Sequence, residues 1–553
     1  MIKPKNLQRA ILAGCLFIPV LLLVACTKNN PDPIIEVELE KDQSFFPENT
    51  LPALDELHHR TVNYFWDTGV NGGSDSNSGM AGEGADRKNA LAAGGTGFAV
   101  MAIISGVDRG WIDRNEAALR MQTLVRFLGK ADRFKGAWAH WTSPTGKALP
   151  WGSRTGGDLL ETSLLMQGLI MVREYFDGAD AIETEVRDSI NSFYSAIQFS
   201  SFTKGTQSLY WSWYPPQNGA GEVYELPIGG YNEALVAYIL AIGAPKNAIP
   251  GSFYQTGWYR NGSIVSAKNN FGYETPVGNP YNMPMFLSHY SMLSLNPQEM
   301  QDTHMFFWDY SVKHTMINRH YCVHQSSGMG YSESIWGLTA SYSVDGYSAH
   351  SPGNDLGVIS PTAAISSMPF TPYYSMQVLF GLKDKYPEMY NDYGFYDAFS
   401  PSTGWQSKRF LAIDQGPMPA MIENYRSGLL WNLFMNAPEI KKGLLAAGIH
   451  EPELSTGFGY SVADVTNDCV DLMMHPDQGD YQIKFFLEEG QQVEFILQDQ
   501  LGKTPIILAE EQNYPAGENE LHFSWQEGMY TGDFMRLIMN TTVGYNYMKV
   551  ILH

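Results

Sequence analysis

Cations are scarce in this chain of 553 residues: 36 Lys and Arg stand against 58 Asp and Glu, a formal net charge of −22 at pH 7. Nucleic acids and other polyanions are held by basic patches, so the deficit argues against such partners and favours neutral ligands. Cysteine is rare too. Cys15 and Cys26 lie near the N-terminus, and Cys322 and Cys469 stand too far apart in sequence to mark a disulfide framework, though a bridge between them stays open. The chain has no G-x-S-x-G elbow, no P-loop, no H-E-x-x-H and no C-x-x-C. His320 and His324 are spaced i, i+4, but Cys322 would not share their helix face, so no metal set is expected there. After Leu23 no stretch is apolar enough to span a bilayer.

What is present begins at the first residues. Lys3, Lys5 and Arg9 precede an apolar run from Ala10 to Leu23, which closes on Leu23-Val24-Ala25-Cys26. A basic start, a short apolar core and small residues before a cut describe a secretory signal rather than a membrane span. Leu-Val-Ala-Cys resembles a lipobox, which implies acylation of Cys26 and a mature chain tethered to the cell envelope as an outer-membrane lipoprotein. Residues 1–25 are then the signal and 26–50 a polar tether. Cleavage removes three cations and takes the net charge from −22 to −25.

Residues 51–450 read as helix, long loop, helix in repetition. Apolar periodicity near 3.6 recurs in 51–66, 95–106, 115–129, 158–176, 181–198, 230–243, 302–321, 361–382 and 419–434. So many helices joined by glycine-rich loops point to a mainly α fold, either a toroid of helical hairpins with its long loops gathered at one end or an irregular bundle. Beyond residue 453 the texture changes to short apolar runs between turn residues, such as Tyr481–Leu487 and Tyr547–Leu552, the pattern of a small antiparallel β-sandwich over 453–553. Residues 451–553 carry 4 Lys and Arg against 17 Asp and Glu, so −13 of the mature net charge of −25 sits there.

Aromatic residues make up 13% of the chain, many in polar loops such as Leu209-Tyr210-Trp211-Ser212-Trp213-Tyr214. Flat apolar faces with polar edges suit stacking on sugar rings, although such residues also anchor loops to a core. Lone acids recur in neutral, glycine-rich surroundings. In Gly156-Gly157-Asp158-Leu159-Leu160-Glu161 two acids spaced i, i+3 would share one helix face, a placement the helix dipole alone would also favour. Gly229-Gly230-Tyr231-Asn232-Glu233 places one Glu where desolvation would raise its pKa, as a general acid near neutrality requires. Glu333, Asp345, Asp355 and Glu423 repeat the pattern. Several such acids with a neutral ligand are the ingredients of glycoside hydrolysis, which needs one protonated and one ionised carboxyl group.

The segments GGDLLETSLLMQGL, GGYNEALVAYILA, GYSESIWGLTAS, GNDLGVISPTAAISSMPFTP and MIENYRSGLLWNLF closely resemble the bacterial glucoamylase-like family, most of all glycoside hydrolase family 144, which includes β-1,2-glucanases. The resemblance runs from about residue 55 to 449. It implies an (α/α)6 toroid over 51–450 and an inverting hydrolase of β-1,2-linked glucan, with Glu233 on the position of the general acid and Asp158 and Glu161 in the sugar pocket. Asp158, Glu161 and Glu423 are the candidates for the base or for hydroxyl contacts. Trp151, Arg154, Trp213, Tyr231, Glu333, Trp336, Tyr342 and Asp355 are the expected substrate-binding residues. No cofactor is called for. A structural Ca²⁺ near Asp75-Ser76-Asn77 is conceivable, without the spacing of an EF-hand. The chain is expected to act as a monomer that meets the membrane only through its lipid. A glucoamylase-like hydrolase of another linkage and a non-catalytic glycan-binding lipoprotein are the rival readings. If Cys26 carries the anchor, Cys26→Ala should leave the membrane fraction or accumulate unprocessed, since the tether after it cannot hold a bilayer. Firm membrane association of that variant would count against the lipoprotein reading.

Overall fold

The computed structural model describes residues 50–67, 77–84, 87, 89–216 and 221–451, and beyond these the strands named below. Cys26, Asp75 and Cys469 lie outside the described residues.

The helices fall into two kinds, each traceable to composition. Ala93–Asp108 is buried from Ala93 to Gly106, Leu159–Tyr175 from Leu159 to Arg173, and Leu235–Gly243 throughout. Their sequences are mostly apolar or small around the whole circumference, so these helices have no broad polar side and are enclosed, with the few polar residues such as Glu161 and Gln167 buried in hydrogen bonds. Arg114–Lys130 and Ala181–Ala196 instead bury one stripe. In the first, this is Ala117, Met121, Leu124, Val125 and Leu128, and the charged residues face outward. The two stripes meet, so the one-sided helices pack on each other around the enclosed ones. Asp113 and Asp180 cap these outer helices by accepting from the first-turn amides.

Ala93–Asp108 and Leu159–Tyr175 cross at two glycines. A Cβ on Gly97 would lie 2.0 Å from the Leu164 carbonyl oxygen, and one on Gly168 would lie 2.2 Å from the Gly97 oxygen. The backbones approach closely because neither residue has a side chain. This crossing also sets the site. It carries the start of the first helix, at Gly94, against the start of the second, at Glu161.

Several expected boundaries move. The run over 361–382 breaks into Pro361–Ile365 and Pro372–Lys385, because Pro369 and Pro372 supply no amide to continue the ladder. The run over 419–434 divides into Pro417–Arg426 and Leu429–Met435 at Gly428, which has φ of +70°. Glu233, expected on a helix, sits in the turn before Leu235–Gly243. Strands, expected to be scarce, recur as small hairpins inside the loops. Tyr210–Tyr214 pairs with Val223–Pro227 and with Gly157–Asp158, and Ala340–Ser343 pairs with Gly346–Ala349.

In the C-terminal part the strands Gly459–Ala463, Gly479–Leu487 and Gly517–Trp525 form one antiparallel sheet. Leu472–Met474, Gly544–Leu552, Phe534–Thr541, Gln491–Asp499 and Ile506–Tyr514 lie in that order in a second, five-stranded sheet. Its one parallel pairing, Leu472–Met474 with Gly544–Leu552, departs from the all-antiparallel expectation.

The glycine crossing can be tested by sign. Alanine normally favours a helix over glycine by about 1 kcal/mol. At Gly129, where a Cβ would meet only Phe193 at 3.8 Å, Gly129→Ala should stabilise the protein in urea unfolding. Gly97→Ala should destabilise it by roughly 1–3 kcal/mol, because two packed backbones must separate. Equal effects at the two positions would contradict the close crossing.

Candidate active site

Asp158 ends the short strand Gly157–Asp158 and is the N-cap of Leu159–Tyr175, its Oδ1 accepting from the Glu161 amide at 3.0 Å. Its other oxygen, Oδ2, lies 2.9 Å from His140 Nδ1 and accepts from Trp211 Nε1 at 3.1 Å. The pairing of Asp158 with Ser212 across the hairpin puts Trp211 in reach. Trp151 stacks on His140 with centroids 4.7 Å apart and lies 6.0 Å from Trp211. His140, Trp151, Arg154, Asp158, Ser212 and Tyr214 line a small cleft, in which Arg154 is paired with Glu225. Burial opposes a charge on His140, but Glu161 and Asp158 outweigh it and raise the imidazole to about 9. Glu161 accepts from the Gly94 amide at 2.7 Å. Burial pushes its carboxyl up to about 7, against the pull of the charged His140.

Glu233 is 8% exposed, and among the described residues no cation stands beside its carboxyl to oppose burial. Desolvation therefore dominates and raises it to about 7. The backbone just after that carboxyl is fixed: Ser291 Oγ donates to the Glu233 carbonyl at 2.5 Å and accepts from the Val236 amide at 3.0 Å.

Sequence reading missed the other half of the cluster. Asp414, in the short helix Ala412–Gln415, is buried and accepts at Oδ1 from Tyr347 Oη at 3.0 Å and, more weakly, from Tyr290 Oη at 3.5 Å. Asp397 accepts from the Tyr342 amide at 2.9 Å. The two carboxyls are within hydrogen-bonding reach of each other, and Asp397 Oδ1 and Asp414 Oδ2 are buried with no donor from the described protein groups. A proton shared between them satisfies both. Burial drives Asp397 up to about 7, and burial together with the charge of Asp397 drives Asp414 well above the usual carboxylate range. Tyr290 places the parts in one neighbourhood: its phenol is raised first by burial, then by the charges of Asp414, Glu233, Glu161 and Asp397. The missed signal is faint. Asp397 and Asp414 are single acids in the neutral stretches Phe395-Tyr396-Asp397-Ala398-Phe399 and Leu411-Ala412-Ile413-Asp414-Gln415.

The chain as a whole is similar to known proteins. The Glycoamylase family model matches residues 225–438. A solved endo-β-1,2-glucanase from Chitinophaga pinensis, in complex with sophorotriose and glucose, is 41% identical with a TM-score of 0.68, over 73% of this chain and 99% of that one. The chain belongs to the glucoamylase-like family of glycoside hydrolase family 144 type. A β-1,2-glucanase structure from Parabacteroides distasonis is 34% identical, TM-score 0.68, over 73% of this chain and 60% of that one. An exo-β-1,2-glucooligosaccharide sophorohydrolase acting at the non-reducing end, from the same species, is 36% identical over 426 residues. The match covers 72% of this chain and spans 58% of that relative's length.

Within this family frame, several expected site residues lie elsewhere. Glu423 is fully buried and saturated: Arg109 donates to both its oxygens, at 2.9 and 2.7 Å, Ser105 Oγ donates at 2.8 Å, and Ser427 Oγ closes the set. Burial alone would raise this carboxyl, but Arg109 and His58 hold it down at about 2. A carboxylate so committed ties three helices together and cannot take a proton from water at neutral pH. Trp336 is wholly buried and cannot present a face to a sugar. Tyr231 is a core residue, its ring tilted against Tyr310 with centroids 4.2 Å apart and its hydroxyl 3.0 Å from Ser288. One face of Trp213 is covered by Lys135, 4.7 Å from the ring centroid. Glu333 is exposed in the turn Ser332–Ile335. Asp355 uses its oxygens on Tyr331, Tyr321 and the Gly357 amide. Tyr342 reaches the site through its backbone, while its ring lies 4.3 Å from the Arg409 guanidinium.

Proposed function

We propose that the protein is an envelope-anchored glycoside hydrolase that cleaves β-1,2-linked glucan with inversion, on an (α/α)6 toroid followed by a β-sandwich accessory domain. The observation that carries the reading is Glu233, a carboxyl desolvated without a counter-charge and therefore protonated up to about pH 7. A group in that state can donate its proton to a departing glycosidic oxygen. The Asp397–Asp414 pair, holding one proton between two carboxyls, keeps one negative charge with which to accept a proton from water. The water oxygen bonds to the anomeric carbon as the bond to the leaving sugar breaks, the Glu233 proton goes to that sugar, and the water proton goes to the pair. Asp158 and Glu161, oriented by His140, the Gly94 amide and Trp211, suit hydroxyl recognition, with Trp151 as the stacking face. The choice of linkage is supported by the relatives named above, whose printed activities are on β-1,2-linked glucans or glucooligosaccharides. Attachment through Cys26 at the outer membrane completes the proposal.

Purified protein should release reducing sugar from β-1,2-glucan in preference to β-1,3-, β-1,4- and α-1,4-glucans. Glu233→Gln, which keeps size but not the proton, should lower kcat by roughly 10²–10⁴-fold. The general acid must be protonated, so wild-type activity should fall as pH rises through about 7, and that limb should be missing in the variant. A near-wild-type kcat for Glu233→Gln would remove this residue from the mechanism. Saccharide binding without any hydrolysis by the wild type would favour a glycan-binding lipoprotein instead.

A further inference from the structure

The hairpin of strands Ala340–Ser343 and Gly346–Ala349 touches the carboxyl pair twice, and from two different strands. Tyr342 donates its backbone amide to Asp397 Oδ2 at 2.9 Å, and Tyr347 donates its hydroxyl to Asp414 Oδ1 at 3.0 Å. These two tyrosines are direct cross-strand partners with rings 5.5 Å apart, so one register fixes both contacts. The turn between the strands is held by Ser343 Oγ, which donates to the Gly346 carbonyl at 2.9 Å and accepts from the Asp345 amide at 3.2 Å.

Tyr347 is unusual in its exposure. The residue is 47% exposed, yet its hydroxyl ends on Asp414, which is only 3% exposed. Its ring therefore stands open beside the pair while its tip is buried at the carboxylate. Tyrosine suits this double duty because it joins an apolar face to a donor. The remaining oxygens of the pair, Asp397 Oδ1 and Asp414 Oδ2, receive no donor from the described protein groups. Tyr347 occupies one oxygen of Asp414 and leaves the other for the proton in transit.

Resting on the proposed hydrolytic reading, we propose that Tyr347 is a positioning and sugar-contacting residue: its hydroxyl orients Asp414 for proton acceptance, and its exposed ring bears on the sugar unit beside the reacting bond. The hairpin thus links occupation of the cleft to the alignment of the base. Other charged and titratable groups that face the pair are Glu83, Arg409, Tyr290 and Tyr64. None of them replaces the Tyr347 hydroxyl at Asp414 Oδ1 except Tyr290, whose contact is longer by half an ångström.

Two substitutions separate the two duties. Tyr347→Phe keeps the ring and removes the hydroxyl. It should lower kcat on β-1,2-glucan about tenfold or more while KM stays within about twofold. A hydrogen bond to the ionised form favours that form, so its loss should shift the acid limb of kcat/KM upward, by about one pH unit. Tyr347→Leu, which loses the ring as well, should also raise KM several-fold. The exposed position lets both variants fold, and circular dichroism with thermal unfolding checks this. Glu233→Gln measured alongside distinguishes the failures. If Glu233→Gln is inactive but Tyr347→Phe keeps the wild-type kcat and acid limb, the positioning role is overturned. If the wild type binds but does not hydrolyse the glucan, the hydrolytic reading falls first, whereas a fully active Glu233→Gln removes only the acid assignment. A Tyr347→Phe enzyme altered only in stability would reduce the hydroxyl to a structural contact.

Discussion

The structure turns on carboxyl groups buried without cations. Removing a carboxylate from water is costly, and a protein can offset that cost with a fixed positive partner or by letting the group keep its proton. This chain does both in different places. Glu423 has Arg109, Ser105, Ser427 and His58 around it and stays ionised far below neutrality. Glu233 has no cation beside it among the described residues, and at the Asp397–Asp414 pair burial and mutual repulsion outweigh the pull of Arg409, so these groups titrate near or above neutral pH. The first arrangement fastens helices; the second makes acids available for proton transfer.

The scarcity of cations thus has a local meaning as well as a global one. An arginine beside Glu233 would hold it ionised and disable it as an acid. His140 is placed where a positive charge does no such harm, against Asp158 and Glu161, and it is itself kept charged by them. The glycine crossing of Ala93–Asp108 and Leu159–Tyr175 brings the Gly94 amide onto Glu161 and so builds one wall of the site from bare backbone. Loop hairpins supply further contacts, delivering Trp211 to Asp158 and Tyr347 to Asp414.

The helical part was legible because apolar periodicity persists over long windows, and the structure shows Asp113 and Asp180 as caps of the outer helices. Asp158, Glu161 and Glu233 were legible for a different reason: each follows a glycine pair and stands in a neutral stretch. The neutral stretch alone, without a glycine pair, brought in Glu423, because a sequence does not show that Arg109, 314 residues away, has already claimed it. Asp397 and Asp414 escaped because each is an isolated acid, and only folding places them side by side. Trp336 and Tyr231 show the matching limit for aromatics, since a tryptophan beside glycines reads alike whether its face meets a sugar or the core. The hairpins were too short to register against the helical pattern, yet they carry the aromatic and hydroxyl contacts of the site.

The central claim is that water, activated by the carboxyl pair, attacks the anomeric carbon on the face opposite the departing oxygen protonated by Glu233. Proton NMR of β-1,2-glucan digestion, recorded before mutarotation equilibrates the ends, reads this directly. The account predicts that each newly formed reducing end appears first as the α-anomer and drifts toward β. New ends appearing first as the β-anomer would mean retention through a glycosyl-enzyme intermediate and would contradict it.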